Sequence, residues 1–242
     1  MNPVTHTLSV SVAAAAFAVS TAFAAMVLRR FGRRPRSLHL LLWGIGLLLY
    51  AAGAAAQVHR GLYGFSEAGF RLWYLTGAVL VAAYLGQGTA YLLLPRRVAH
   101  LLMALLAVGT SYAAFKVAGA QLDPARAAGV ELSGAVIVSP GVRVLTPFFN
   151  VYGTLLLVGG AVWSAWAFRR RRTHYDRMIG NVLIALGGLA PAIGGTLNRF
   201  GLPGLYVGEL VGAVVMYLGF LKATSPEPVR SARPAPHPAP GA

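Results

Sequence analysis

The sequence predicts an all-α, polytopic membrane protein with seven transmembrane helices, its N-terminus outside and its C-terminus inside. Three observations carry this. The chain of 242 residues is 57% hydrophobic and only 11% charged, where a soluble domain carries about 25% charged residues. The apolar residues fall into separate runs of about 20, the length that crosses a hydrocarbon core of about 30 Å at about 1.5 Å per residue. The arginines sit in short loops between those runs, where they act as topology signals and touch anionic headgroups.

The first span is expected at residues 8–28. Ala22-Phe23-Ala24 resembles a signal-peptide cleavage site, but no Lys or Arg precedes the run, and a signal peptide starts basic. The basic residues follow instead, as Arg29, Arg30, Arg33, Arg34 and Arg36, so the span is read as uncleaved. The second span, 38–56, ends near Gln57, His59 and Arg60. The third, 72–94, is stopped by Pro95-Arg96-Arg97, and the fourth covers 98–118. The longest loop follows, 119–143. Its β-branched and turn residues from Val130 onward suggest a small hairpin or lid. The fifth span, 144–168, carries Pro147 in its first turn, where proline is tolerated. The sixth, 178–197, holds Pro191 between two glycine pairs, which predicts a kink or local unwinding. The seventh, 203–221, starts with Pro203. Residues 1–222 thus form one transmembrane domain. The Pro- and Ala-rich tail, 223–242, cannot bury a core and is expected to be a disordered cytoplasmic tail.

Fifteen of the 21 Lys and Arg residues lie in the loops after spans one, three and five and in the tail. The positive-inside rule therefore gives the orientation stated above, and opposite ends require an odd number of spans. The net charge of +15 is placed in these loops, which are too short to build a nucleic-acid-binding face; no nucleic acid is expected as a partner. The expected partners are the lipid bilayer and anionic headgroups at the inner arginine clusters. The basic loops also suit a partner membrane protein or a second copy of the chain. With no cysteine, disulfides and thiolate chemistry are excluded. The Ala- and Arg-rich, Lys-poor usage fits a bacterial cytoplasmic membrane.

The first and last three spans run the same way, with the fourth as an inverting linker. Leu72-Trp73 and Tyr84-Leu85-Gly86 in the third span are matched by Leu205-Tyr206 and Tyr217-Leu218-Gly219 in the seventh at the same spacing. This suggests a 3+1+3 duplication, an arrangement found in transporters with the site between the halves. The architecture resembles that of SWEET-type sugar transporters, though the chain has no Pro-Gln pair. It also resembles microbial rhodopsins in span number and orientation, though the lysine near the seventh span is Lys222, at its inner end. Neither family's motif is present.

Glu209 is the one carboxylate within any apolar run. A charge at that depth costs about 2.5–3.5 kcal/mol or more unless paired, which makes it a candidate functional residue. Tyr206, Ala213 and Tyr217 share its helical face, and Gly204, Gly208 and Gly212 form an adjacent small-residue stripe suited to close helix approach. Asn150 and Thr76 are expected at a similar depth on parallel spans, and Arg199 near the outer mouth. Tyr84, Gln87 and Tyr91 share a deeper face of the third span. A polar path from Glu209 to Gln87 would suit a transporter, whereas interhelical hydrogen bonding or an interfacial tyrosine belt would explain the same residues structurally. The candidate substrate- or ion-binding set is Glu209, Asn150, Tyr206, Thr76, Gln87, Tyr84 and Arg199.

His39 with His100, and His6 with His59, lie near opposite ends of the spans. Such pairs can hold haem, but interfacial histidine is the plainer account and no cofactor is expected. No metal-ligand spacing occurs, so no metal is expected either. No nucleophile elbow, phosphate loop or acidic pair is present, so no catalytic residue is assigned. The expected function is a small-solute or ion transporter or channel-like protein. The alternative is a non-transporting sensor or accessory subunit; a haem-bearing redox protein is third.

Overall fold

The structure, a computed structural model, describes residues 3–127, 131–171, 175–200 and 204–225. Among these, seven helices are long and apolar enough to cross a membrane: α1 (Pro3–Arg33), α2 (Leu38–Tyr63), α3 (Glu67–Leu93), α4 (Arg96–Ala118), α5 (Val142–Arg171), α6 (Tyr175–Arg199) and α7 (Leu205–Ala223). The described residues contain no strand. The chain has the character of a multi-pass integral membrane protein. Residues 226–242, most of the expected tail, lie outside the described residues.

Most helices extend past the apolar runs, because flanking polar residues still satisfy an α-helical backbone. α1 continues through its arginines to Arg33, and α2 passes Gln57 and Arg60 to Tyr63. Gly64 then takes a left-handed φ of 88°, a conformation glycine adopts without steric cost. Ser66 caps α3, its hydroxyl accepting from the Gly69 N–H at 3.2 Å. Pro95 ends α3 and caps α4. α5 starts at Val142, so Pro147 falls in the second turn rather than the first. α6 is helical straight through Pro191, without the local unwinding expected there.

α3 holds a feature hydropathy does not predict. Its segment Tyr74–Leu80 is π-helical, a wider turn found often at functional sites.

The helices pack in a closed order: α1 on α2, α2 on α3, α3 on α5, α5 on α6, α6 on α7, and α7 back on α1. α4 stands outside this ring, packed lightly against α3 and α5. Its outer side is apolar and exposed along Leu101, Leu105, Val108 and Phe115, as suits a lipid-facing helix. Glycines set how closely the ring closes. A Cβ on Gly86 would sit 2.6 Å from the Gly153 carbonyl oxygen, so α3 and α5 touch backbone to backbone. Along α6 and α7, Gly180 meets Gly219, Gly187 meets Gly212, and Gly194 meets Gly204 and Gly208. Pro191 leaves the Gly187 carbonyl without its helical donor. Gly212 lies against that carbonyl, where a Cβ would come within 2.8 Å of its oxygen.

The 119–141 connection is a lid. One antiparallel bridge joins Leu122 to Ile137, and two short 3-10 turns, Pro124–Arg126 and Gly134–Val136, are capped by Asp123 and Ser133. Among the described residues of this segment the pairing goes no further than that bridge, and residues 128–130 lie outside them. Leu132, Val136 and Ile137 are buried against Phe70, Trp73 and Tyr74 of α3. This end of the bundle, where α1, α3, α5 and α7 begin, is the lid end. The opposite end carries the arginine clusters.

Candidate functional site

Inside the ring lies a cavity of about 420 Å³. Its walls come from α2, α3, α5, α6 and α7, and lid residues 132–135 roof it. Glu209 stands in its wall, in the second turn of α7 and partly buried. Tyr50 and Glu131 hold this turn, with Gln57 beside it and Asn198 fixing the lid above. The Tyr50 hydroxyl donates to the Glu209 main-chain oxygen at 2.7 Å. The Gln57 amide lies beside the Glu209 carboxyl, yet it falls short of hydrogen-bond geometry: both of its polar atoms are buried without a partner. Glu131 of the lid accepts from the N–H groups of Gly204, Leu205 and Tyr206 at 3.2–3.4 Å. It thereby caps the N-terminus of α7, where a carboxylate meets both unpaired N–H groups and the positive end of the helix dipole. Asn198 fastens the lid from α6, donating to the Leu132 carbonyl at 3.3 Å.

The opposite wall is aromatic. Trp73 and Tyr74 of α3 line it across from α7. Tyr74 shares a 2.8 Å hydrogen bond with Thr146 of α5. The Trp73 indole N–H is buried and has no acceptor, although a buried indole N–H usually finds one. Gly53 of α2 and Gly77 of α3 let these helices meet; a Cβ on Gly53 would sit 2.9 Å from the Gly77 Cα. The π-helical turn therefore lies at a close crossing with α2. Asn150 lines the cavity and donates to the Ala78 carbonyl of that turn at 3.1 Å. Arg143 lines the lid end and is exposed.

A second, smaller void of about 60 Å³ lies toward the arginine end, between residues such as Trp43, Thr89, Ser164 and Asn181. Leu85, Leu157 and Met216 line both spaces. These three buried side chains, from α3, α5 and α7, form an apolar septum between them.

The structure brings together some of the predicted residues and separates others. Glu209 and Asn150 line the cavity. Tyr206 is buried under the lid beside it, its hydroxyl reaching the Leu132 main chain. Thr76 is buried with its hydroxyl donating back to the Leu72 carbonyl at 2.7 Å. Gln87 is fully buried at the junction of α3, α4 and α5: its amide donates to Ala99 O at 2.8 Å and accepts from the Tyr152 hydroxyl. Tyr84 pairs with Thr110 of α4 at 3.3 Å. Gln87 and Tyr84 thus face the outer helix, not the cavity. The Arg199 side chain lies outside the described residues. Tyr50, Gln57, Trp73, Tyr74 and Glu131 were not singled out for the site. Gln57 had a signal, a polar residue closing an apolar run; Trp73 had only the small Gly77 one turn on.

Three of the described histidines pack against aromatic side chains. His39 meets Trp43 edge-on, His59 packs at a tilt against Tyr63, and the exposed His100 shares a 2.9 Å hydrogen bond with Tyr91. No group of three or more His, Asp or Glu side chains occurs among the described residues. No family model, curated protein or solved structure matches this chain.

Proposed function

We propose that this protein is a small-solute or ion transporter, with the Glu209 cavity as its binding site. The observation that carries it is the placement of a lone intramembrane carboxylate on a cavity large enough for a small molecule (about 300–1,000 Å³ is usual). The septum supports the same reading. The space at the lid end that holds Glu209 and the apolar void toward the arginine end are separated by three side chains on three helices. Small relative movements of α3, α5 and α7 would join them. The cyclic packing order also supports the 3+1+3 duplication: α1–α2 corresponds to α5–α6, α2–α3 to α6–α7, and α3–α5 to α7–α1. We place the lid outside and the arginine clusters inside, in a bacterial cytoplasmic membrane, with anionic lipid at the clusters.

The test is flux in reconstituted vesicles. Glu209→Gln keeps the shape of the side chain and removes its charge and its titration. It is expected to abolish pH-dependent uptake while the protein still folds; unchanged uptake overturns the proposal. The second reading, a non-transporting sensor or accessory subunit, draws on the lid. Glu131, Asn198 and the buried lid residues pin the roof down, which suits a site that holds a ligand. Stable co-purification of a partner, with no flux, would favour it.

A further inference from the structure

We infer that the cavity recognises a small organic cation: a protonated amine with a hydroxyl or carbonyl oxygen close by. This rests on the cavity being a solute site, as proposed above, and names the class of solute.

Charge is the first ground. Glu209 is the one acidic residue lining the cavity among the described residues. The nearest other carboxylate, Glu131, is occupied by three N–H groups of α7. Arg143, the one described basic residue in the lining, is exposed at the entrance, about two turns before Asn150 along α5. The deeper part of the cavity therefore presents a carboxyl and no described cation. An anion would be repelled there, and a neutral solute would leave the carboxyl without a counter-charge. An ammonium group provides one, and burial strengthens the pairing when the geometry is good.

The aromatic wall is the second ground. Tyr50, Trp73 and Tyr74 line the same space, and a side chain on Gly77 would press against the Trp73 ring, its Cβ 3.5 Å away. Aromatic faces attract organic cations within about 6 Å of the ring. A bare metal ion would instead want several converging oxygens, and most of these walls are apolar.

The third ground is the unused donor. Trp73 is only 4% exposed, lines the cavity, and its indole N–H has no acceptor. A solute that supplies an acceptor oxygen would satisfy it. The amine and the oxygen are thus read by opposite walls, Glu209 on α7 and Trp73 on α3.

The experiment uses the full chain in lipid nanodiscs and three matched probes in titration calorimetry: 2-amino-1-phenylethanol, 2-phenylethylamine and 1-phenylethane-1,2-diol. The amino alcohol is expected to bind best, the amine next, and the neutral diol at least about tenfold more weakly than the amino alcohol. This ranking on the unaltered protein needs no variant. Glu209→Gln should weaken both amines about tenfold or more and leave the diol unchanged. Trp73→Phe keeps an aromatic ring and removes the N–H; it should bring the amino alcohol down to the level of the amine. A diol that binds as tightly as the amines, or amine affinity indifferent to Glu209→Gln, overturns the inference. Labelled-amine uptake in vesicles separates it from the transport proposal. Amine binding without flux retains the cation site and overturns transport. Glu209-dependent flux of protons with no amine binding does the reverse.

Discussion

Gly153 and Gly159 lie on the same helix, two turns apart, and should respond to alanine in opposite directions. At Gly153 a new Cβ would overlap the main chain of Ala82 and Ala83 on α3. None of those atoms belongs to a side chain that could rotate away, so α5 and α3 would have to separate. Overpacking a fitted interface costs about 1–3 kcal/mol, and a backbone-to-backbone collision belongs at the top of that range. At Gly159 a Cβ would meet nothing within 4 Å, and alanine favours a helix over glycine by up to about 1 kcal/mol. The same helix-propensity gain applies at Gly153 and cancels in the comparison, so the two variants should differ by about 3 kcal/mol, the overpacking cost alone. Unfolding in mixed micelles, followed by circular dichroism with increasing denaturing detergent, measures this directly. The α3–α5 seam also forms part of the cavity wall, so Gly153→Ala should weaken probe binding as well. Equal stability of the two variants would refute the packing described for α3 and α5, and with it the closed ring around the cavity.

Other perturbations probe the parts of the site one by one. Leu157→Ala trims the septum and should give a leak of small solute through vesicles that the parent protein does not show; the same substitution at the exposed Leu155 should not. Glu131→Gln keeps a capping oxygen but loses the charge that faces the start of α7, a contribution of about 0.3–1 kcal/mol at a helix terminus. Its measurable effect should be faster hydrogen exchange in the first turn of α7 and in residues 131–137, with exchange in α1 and α2 unchanged.

The spans were legible because a membrane demands one simple thing of sequence, an apolar run of sufficient length. Glu209 was legible for the same reason, since a carboxylate in such a run has few uses. Asn150 was found by depth along a parallel span. Direction around each helix was much less legible. In lipid both the outside of a helix and its buried side are apolar, so α4 gives no sequence sign that it stands outside the ring. Gln87 and Tyr84 followed from the same ambiguity: their polar groups serve the contacts of α3 with α4 and α5. The π-helical turn of α3 was invisible, because a change from four to five residues per hydrogen-bonded step leaves composition untouched. Trp73 was hidden by it, since the wider turn helps decide which way the indole faces. The lid was anticipated as a structured loop, but its key residue, Glu131, finds its partners 73 to 75 residues away in sequence.

The account depends most on Glu209 facing a hydrated interior space. The chain has no cysteine, so a single introduced thiol reports without background. Glu209→Cys and, as a control, Val211→Cys on the outer side of α7 would be treated in intact vesicles with a membrane-impermeant, charged thiosulfonate. The thiol at 209 is expected to react from the lid side, while the thiol at 211 stays unmodified in lipid. A thiol at 209 that resists the reagent while the one at 211 reacts would contradict it.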